Sequence, residues 1–312
     1  MEELIFSLNA TVPLFLVVIC GYLLYQRGML TEEFVAVANK FNFQIALPAL
    51  VIRDLSSADF REVWDIKFVF FCVLTTTISF FIIWGLAKIF IREAGVRGAF
   101  VQASYRSSAA ILGFALIQNI YGESVMTPLM IIGCVPLFNI FAVLVLTFEG
   151  DGTGNKSIKD ACREIIRNPI IIGIIIGVIL SLQNINFPKM LKSTVNSFAV
   201  LASPLALLAL GAGFRGREAI AKLRPTIAAS LIKLVILPVI FLPVAVWLGF
   251  REDGLIAILI MLGSPTTVSS YVMAKNMGGD EILTSSVVVV TTMLSAFSIT
   301  AILFALRSLA IV

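Results

Sequence analysis

The sequence predicts an all-α membrane protein of ten transmembrane helices, laid out as a five-plus-five inverted repeat in which spans 4 and 9 are broken. Three observations carry this. Of 312 residues, 59% are apolar and 13% charged, with a mean hydropathy of +1.01, which no ordinary soluble domain matches. Charged breaks divide the chain into ten apolar runs near the roughly 20 residues that a membrane helix needs. Helix-breaking residues recur at an offset of 156, half the chain: Pro13 with Pro169, Gly21 with Gly177, Pro48 with Pro204, Gly122 with Gly278. Each half, 1–153 and 154–312, then holds five spans, and an odd number turns the second half upside down in the membrane.

The elements follow in order. Span 1, about 4–25, lacks a basic flank or a cleavage site and reads as a helix rather than a signal peptide. Span 2, about 34–52, carries Leu47-Pro48-Ala49-Leu50, and span 3 covers about 68–91. Span 4, about 99–120, contains the polar run Gln102, Ser104, Tyr105, Arg106, Ser107 and Ser108 ahead of Gly113. Span 5, about 126–148, places Asn139 after Pro136. Asn168-Pro169 opens the short span 6, about 169–183, where Gly173 and Gly177 read as helix packing. Span 7, about 194–214, has Ser203-Pro204; span 8, about 226–249, has Lys233; span 9, about 255–275, has Gly263-Ser264-Pro265-Thr266-Thr267-Val268-Ser269-Ser270-Tyr271; span 10 covers about 282–306.

The absence of histidine excludes histidine-held metals and Ser-His-Asp or Cys-His catalysis. Four cysteines, three in apolar runs and Cys162 in a charged loop, form no disulfide framework or metal spacing. No catalytic residue, cofactor or metal is expected. The net charge of +4 reports orientation in the membrane, not nucleic-acid binding. Loops after odd-numbered spans hold 14 Lys and Arg, among them Lys156, Lys159 and Arg215. The opposite face, where Arg61 falls, holds 7. Both termini are therefore expected outside the cytoplasm.

Carriers built as inverted repeats bind substrate near mid-membrane, where broken helices meet. The polar runs Ser104 to Ser108 and Gly263 to Ser270 are expected to be non-helical and packed together. They supply Arg106, Ser107, Ser108, Ser264, Pro265, Thr266, Thr267, Ser269 and Ser270 as candidate substrate-binding residues. Asn139 joins them from span 5, and Lys233 is a secondary candidate. Intramembrane charge marks function by default, although Arg106 and Lys233 could instead snorkel to the interface. No Asp or Glu lies clearly inside a span, and buried positive charge suits an anion.

These residues resemble the auxin efflux carrier family, the PIN-like group that includes bacterial malonate and malate permeases. The marks are Leu47-Pro48-Ala49-Leu50, Asn168-Pro169, Ser203-Pro204-Leu205-Ala206-Leu207 with Gly211, and Pro265 followed by Ala274-Lys275. The resemblance implies a sodium/bile-acid-symporter-like arrangement, with spans 1, 2, 6 and 7 as scaffold, spans 3 to 5 and 8 to 10 as a moving core, and helices 4 and 9 crossing. It adds Lys275 to the candidate site. The chain departs from the family where Ser108 replaces the usual Asn and Ala115 the usual Pro. The implied protein is a non-enzymatic, multi-pass carrier of the cell (inner) membrane. It moves a small organic anion, a carboxylate, by alternating access through the lipid bilayer, with a homodimer left open. A cation-coupled antiporter or symporter of the same fold and a ligand-binding membrane receptor stay as alternatives.

Overall fold

The computed structural model describes residues 2–57, 65–109, 126–150, 163, 165–183, 188–214 and 216–309. The regular elements in these stretches are helices. Helix α1 covers Glu2–Gln26. Next come α2, Glu32–Phe41, and α3, Leu47–Ser57, joined without a break by a π turn at Asn42–Ala46. α4 is Ile66–Phe90, α5 Ala94–Tyr105, α6 Met126–Glu149, α7 Pro169–Leu182 and α8 Lys189–Ala212. The short α9, Gly216–Ala221, leads to α10, Leu223–Leu231, which continues through a second π turn at Ile232–Ile236 into α11, Leu237–Trp247. α12, Glu252–Gly263, α13, Ser269–Asn276, and α14, Glu281–Ser308, complete the bundle.

The ten-span, five-plus-five inverted repeat is overturned, and the sodium/bile-acid-symporter-like arrangement goes with it. Among the described residues six helices are long and apolar enough to cross a membrane: Glu32–Ser56, Ile66–Phe90, Leu129–Glu149, Lys189–Ala212, Leu223–Trp247 and Glu281–Ser308. The apolar stretches Leu16–Gln26 and Pro169–Leu182 are shorter. The physical reason is helix length. At about 1.5 Å per residue, 12-residue helices such as α5 and α12 cover only about 18 Å of a hydrocarbon core near 30 Å. An apolar run counted by hydropathy registers as a full crossing even where its helix is broken. Gly113, Ala115, Gly122, Glu123, Arg61, Lys156, Lys159, Cys162 and Arg215 lie outside the described residues.

Sequence chemistry explains the local structure. Asn168 caps α7, accepting from the Ile170 N–H at 2.9 Å, with Pro169 at the first helical position, where its missing N–H is not needed. Asp65 and Asp280 cap α4 and α14 in the same way, at 2.9 and 2.8 Å. Each π turn ends at a Leu-Pro pair. The Leu47 and Leu237 N–H groups reach back five residues to the Asn42 and Ile232 carbonyls, immediately before Pro48 and Pro238. A proline inside a helix lacks its donor and crowds the carbonyl four residues back; the widened turn relieves that crowding.

Helices α5 and α12 form the interior. Every residue of α12 from Gly254 to Gly263 is buried, while Leu16, Phe70, Phe81, Ile175, Val239 and Phe304 face outward. With lipid as apolar as leucine, close approach between backbones replaces hydrophobic burial as the driving force. α1 and α8 meet at Gly21 and Gly211, where a Cβ on either would strike backbone of the other helix. α7 lies on α3 through Gly173 against Pro48 and Gly177 against Leu55. α3 also packs on α8, while α4, α5 and α6 pack on one another.

Candidate functional site

The site forms where two helices stop. α5 ends at Tyr105, and Arg106 is extended (φ −80, ψ 128). α12 ends at Gly263, and Ser264 is extended too (φ −69, ψ 155), because Pro265 disfavours helical geometry at the residue before it. The two extended stretches meet in an antiparallel bridge between Ser107 and Thr266. The Ser108 N–H donates to the Pro265 carbonyl at 2.9 Å. Thr266 Oγ1 donates to the Ala103 carbonyl at 2.7 Å, and its N–H donates to Thr291 Oγ1 at 3.1 Å. Gln102 Nε2 donates to the Ser270 carbonyl at 3.0 Å. Unwound backbone inside a membrane needs such partners, since lipid supplies none. The breaks are narrower than the polar runs: Ser104, Gly263, Ser269 and Ser270 are helical.

Beside this crossing lies a cavity of about 70 Å³, large enough for a few water-sized groups. Arg106, Ser107 and Ser108 line it from the first break, Thr267, Val268 and Ser269 from the second, and Asn139 with Val135 and Phe138 from α6. α3 contributes Leu47, Leu50, Val51 and Asp54, and α8 contributes Ala202 and Ser203. Arg106 is 3% exposed and does not snorkel. Its Nη2 donates to Asn139 Oδ1 at 2.6 Å and its Nη1 approaches Met273 Sδ at 2.8 Å, while its buried Nε has no partner among the described residues. Asn139 is oriented in turn by donating Nδ2 to the Val135 carbonyl at 2.9 Å. The N-terminus of α13, opening at Ser269, adds partial positive charge to the same cavity.

The structure thus brings together Arg106, Ser107, Ser108, Asn139, Thr267 and Ser269. Pro265 and Thr266 build the crossing, and Ser264 and Ser270 are fully buried behind it, their hydroxyls without partners among the described residues. Lys275 is elsewhere: at the end of α13 it pairs with Glu281 and lies 5.9 Å from the Tyr271 ring centroid. Lys233 is fully buried and does not line the cavity; its ammonium reaches Ser107 Oγ and the carbonyls of Leu262, Tyr105 and Met261. Asp54 and Ser203 were not among the sequence candidates. Asp54 corrects the expectation that spans contain no carboxylate: it lies past the apolar run, but α3 extends to Ser57 and carries it to the cavity wall, bonded to Arg53 at 2.8 Å. Ser203 was visible in the Ser203-Pro204 pair.

A bundle of membrane-crossing helices enclosing a small cavity of mixed polarity beside two helix breaks fits the class of multi-pass membrane transport proteins. The comparisons agree. The model of the family described as "Membrane transport protein" matches residues 6–303, and the chain belongs to that family, the auxin efflux carriers. It is similar to a Rhizobium meliloti protein named "Putative malonate transporter", 27% identical over 308 residues, covering 95% of this chain and 94% of the relative. A Methanothermobacter thermautotrophicus protein named "Uncharacterized transporter" is 23% identical over 297 residues, covering 94% and 96%. "Uncharacterized transporter YfdV" of Escherichia coli K12 is 22% identical, covering 87% and 88%. The chain is a membrane transport protein and not an enzyme.

Proposed function

We propose that this carrier moves a small carboxylate by alternating access, binding it in the cavity beside the helix breaks. The observation that carries the reading is Arg106: a buried guanidinium at the cavity wall, steadied by Asn139, with no carboxylate partner among the described residues. A planar fork of donors matches a carboxylate bidentately. The N-terminus of α13 adds a second attraction for an anion, and Ser108, Thr267 and Ser269 offer hydroxyls for its remaining oxygens. The malonate in the name of the Rhizobium relative supports a dicarboxylate. Access would alternate as the wall made by α3 and α8 shifts against the broken helices.

The test is flux into proteoliposomes of labelled mono- and dicarboxylates, with and without Na+ and pH gradients. Saturable carboxylate uptake that Arg106→Gln weakens is expected; uptake of none of the panel by folded protein would defeat the reading. Asp54 favours a second reading, proton-coupled symport, because it brings a carboxylate to the cavity wall. Acceleration by an inward proton gradient that Asp54→Asn abolishes would select it.

A further inference from the structure

Lys233 is the largest buried charge whose surroundings the carboxylate reading leaves unused. It sits in the second π turn, is 0% exposed, and has no acidic partner among the described residues. Its ammonium donates to Ser107 Oγ and to the Leu262 carbonyl, with the Tyr105 and Met261 carbonyls each at 3.4 Å. Ser107 Oγ itself bonds to the Met261 carbonyl.

The origin of those oxygens matters. Tyr105 is the last residue of α5, and Met261 and Leu262 stand in the last turn of α12. Carbonyls in a terminal turn have no partner four residues on, and each helix end carries a partial negative charge. Two such ends converge on one point, joined by a hydroxyl. Three carbonyls and a hydroxyl, all neutral oxygen ligands, are the donor set of a hard monovalent cation. A buried ammonium can replace that cation, since its three N–H groups need acceptors and its charge needs the same negative potential.

We infer that the paired C-termini of α5 and α12 form a site for a monovalent alkali cation, which the tethered ammonium of Lys233 fills permanently. The side chain supplies at the helix ends the charge that a dissolved ion would otherwise bring. The crossing is then assembled without a free cation, and binding in the neighbouring cavity needs none. The inference builds on the proposed carboxylate cavity only in this last respect; occupancy of the helix ends does not depend on which solute is carried.

Thermal unfolding of purified protein in detergent tests it without any substrate. Wild type should melt at the same temperature in NaCl, KCl and choline chloride of equal ionic strength. Lys233→Ala, which empties the site, should melt lower in choline and recover on adding Na+ or K+, by roughly 2 °C or more once the ion exceeds its Kd about fivefold. Ser107→Ala in the Lys233→Ala background removes one ligand and should weaken that recovery. Equal melting of Lys233→Ala in all three salts would overturn the inference. Should Lys233→Ala yield no folded protein, wild type decides alone: specific stabilisation by Na+ or K+ over choline would show a cation site that Lys233 does not fill. Failure of carboxylate flux in proteoliposomes, with the melting results as expected, would remove the proposed substrate and leave this site standing.

Discussion

Arg106 is positioned by Asn139 but not neutralised by it, which under the proposed function leaves its charge for a carboxylate. Replacing it with Gln should weaken carboxylate binding by about 1.5–3 kcal/mol, the range for hydrogen bonds to charged groups, or roughly tenfold and more in affinity. Arg106→Lys should recover only part, keeping the charge but losing the planar fork. Isothermal titration or ligand-induced melting shifts on folded protein would measure this, and unchanged affinity in the Gln variant would move the role to the α13 N-terminus. Arg106 could be found from sequence because a charge amid serines inside an apolar run is conspicuous. The partners of Lys233 could not, because backbone carbonyls carry no sequence signal and only the folded chain brings them together around the ammonium. Lys275 was drawn in by the Ala274-Lys275 motif; Glu281, six residues on, is the partner that keeps it at the end of its helix.

Among the elements, α4, α5 and α6 are tied at one end around Glu149, which is 3% exposed. Arg97 Nε donates to its Oε2 at 2.7 Å, with Nη2 on the same oxygen, while Trp84 Nε1 donates to Oε1 at 2.7 Å and Lys88 lies at 3.9 Å. Breaking a buried pair by removing one member leaves an uncompensated charge, so Arg97→Met should destabilise the protein by about 3 kcal/mol. Glu149→Gln, which deletes the charge but keeps an acceptor for Trp84, should cost less. Melting curves in detergent would show the order, and an Arg97→Met variant as stable as wild type would refute the role. At this scale the sequence was half legible. Asn168-Pro169 and Asp280 marked helix starts, and Pro265 marked a break. Helix lengths were not legible: hydropathy counts a broken span as a full crossing, so the sequence reads as ten spans where six helices among the described residues are long enough to cross.

At the scale of the whole molecule, one cluster of charge among the described residues stands out. Arg92, Lys222, Arg224 and Lys275 gather around Glu93 and Asp280 at one end, while Arg53 lies beside Asn196 of α8 toward the other. On the positive-inside rule we expect the first end in the cytoplasm. In a background freed of Cys20, Cys72, Cys134 and Cys162, Lys189→Cys should react with an impermeant maleimide on intact cells, and Arg92→Cys only after permeabilisation; the reverse pattern would invert the orientation. The Ser107–Thr266 bridge adds a mechanical consequence. Because it rivets the two broken helices together, the proposed alternating access would move them as one body, with α3 and α8 as the opposing jaw. The proposed stroke would then fall on the seam between that rivet and Ser203 of α8. A short bifunctional thiol reagent joining Ser203→Cys to Thr267→Cys should stop transport outright. The same reagent across Ala103→Cys and Ser270→Cys, both on the riveted side, should leave the stroke running.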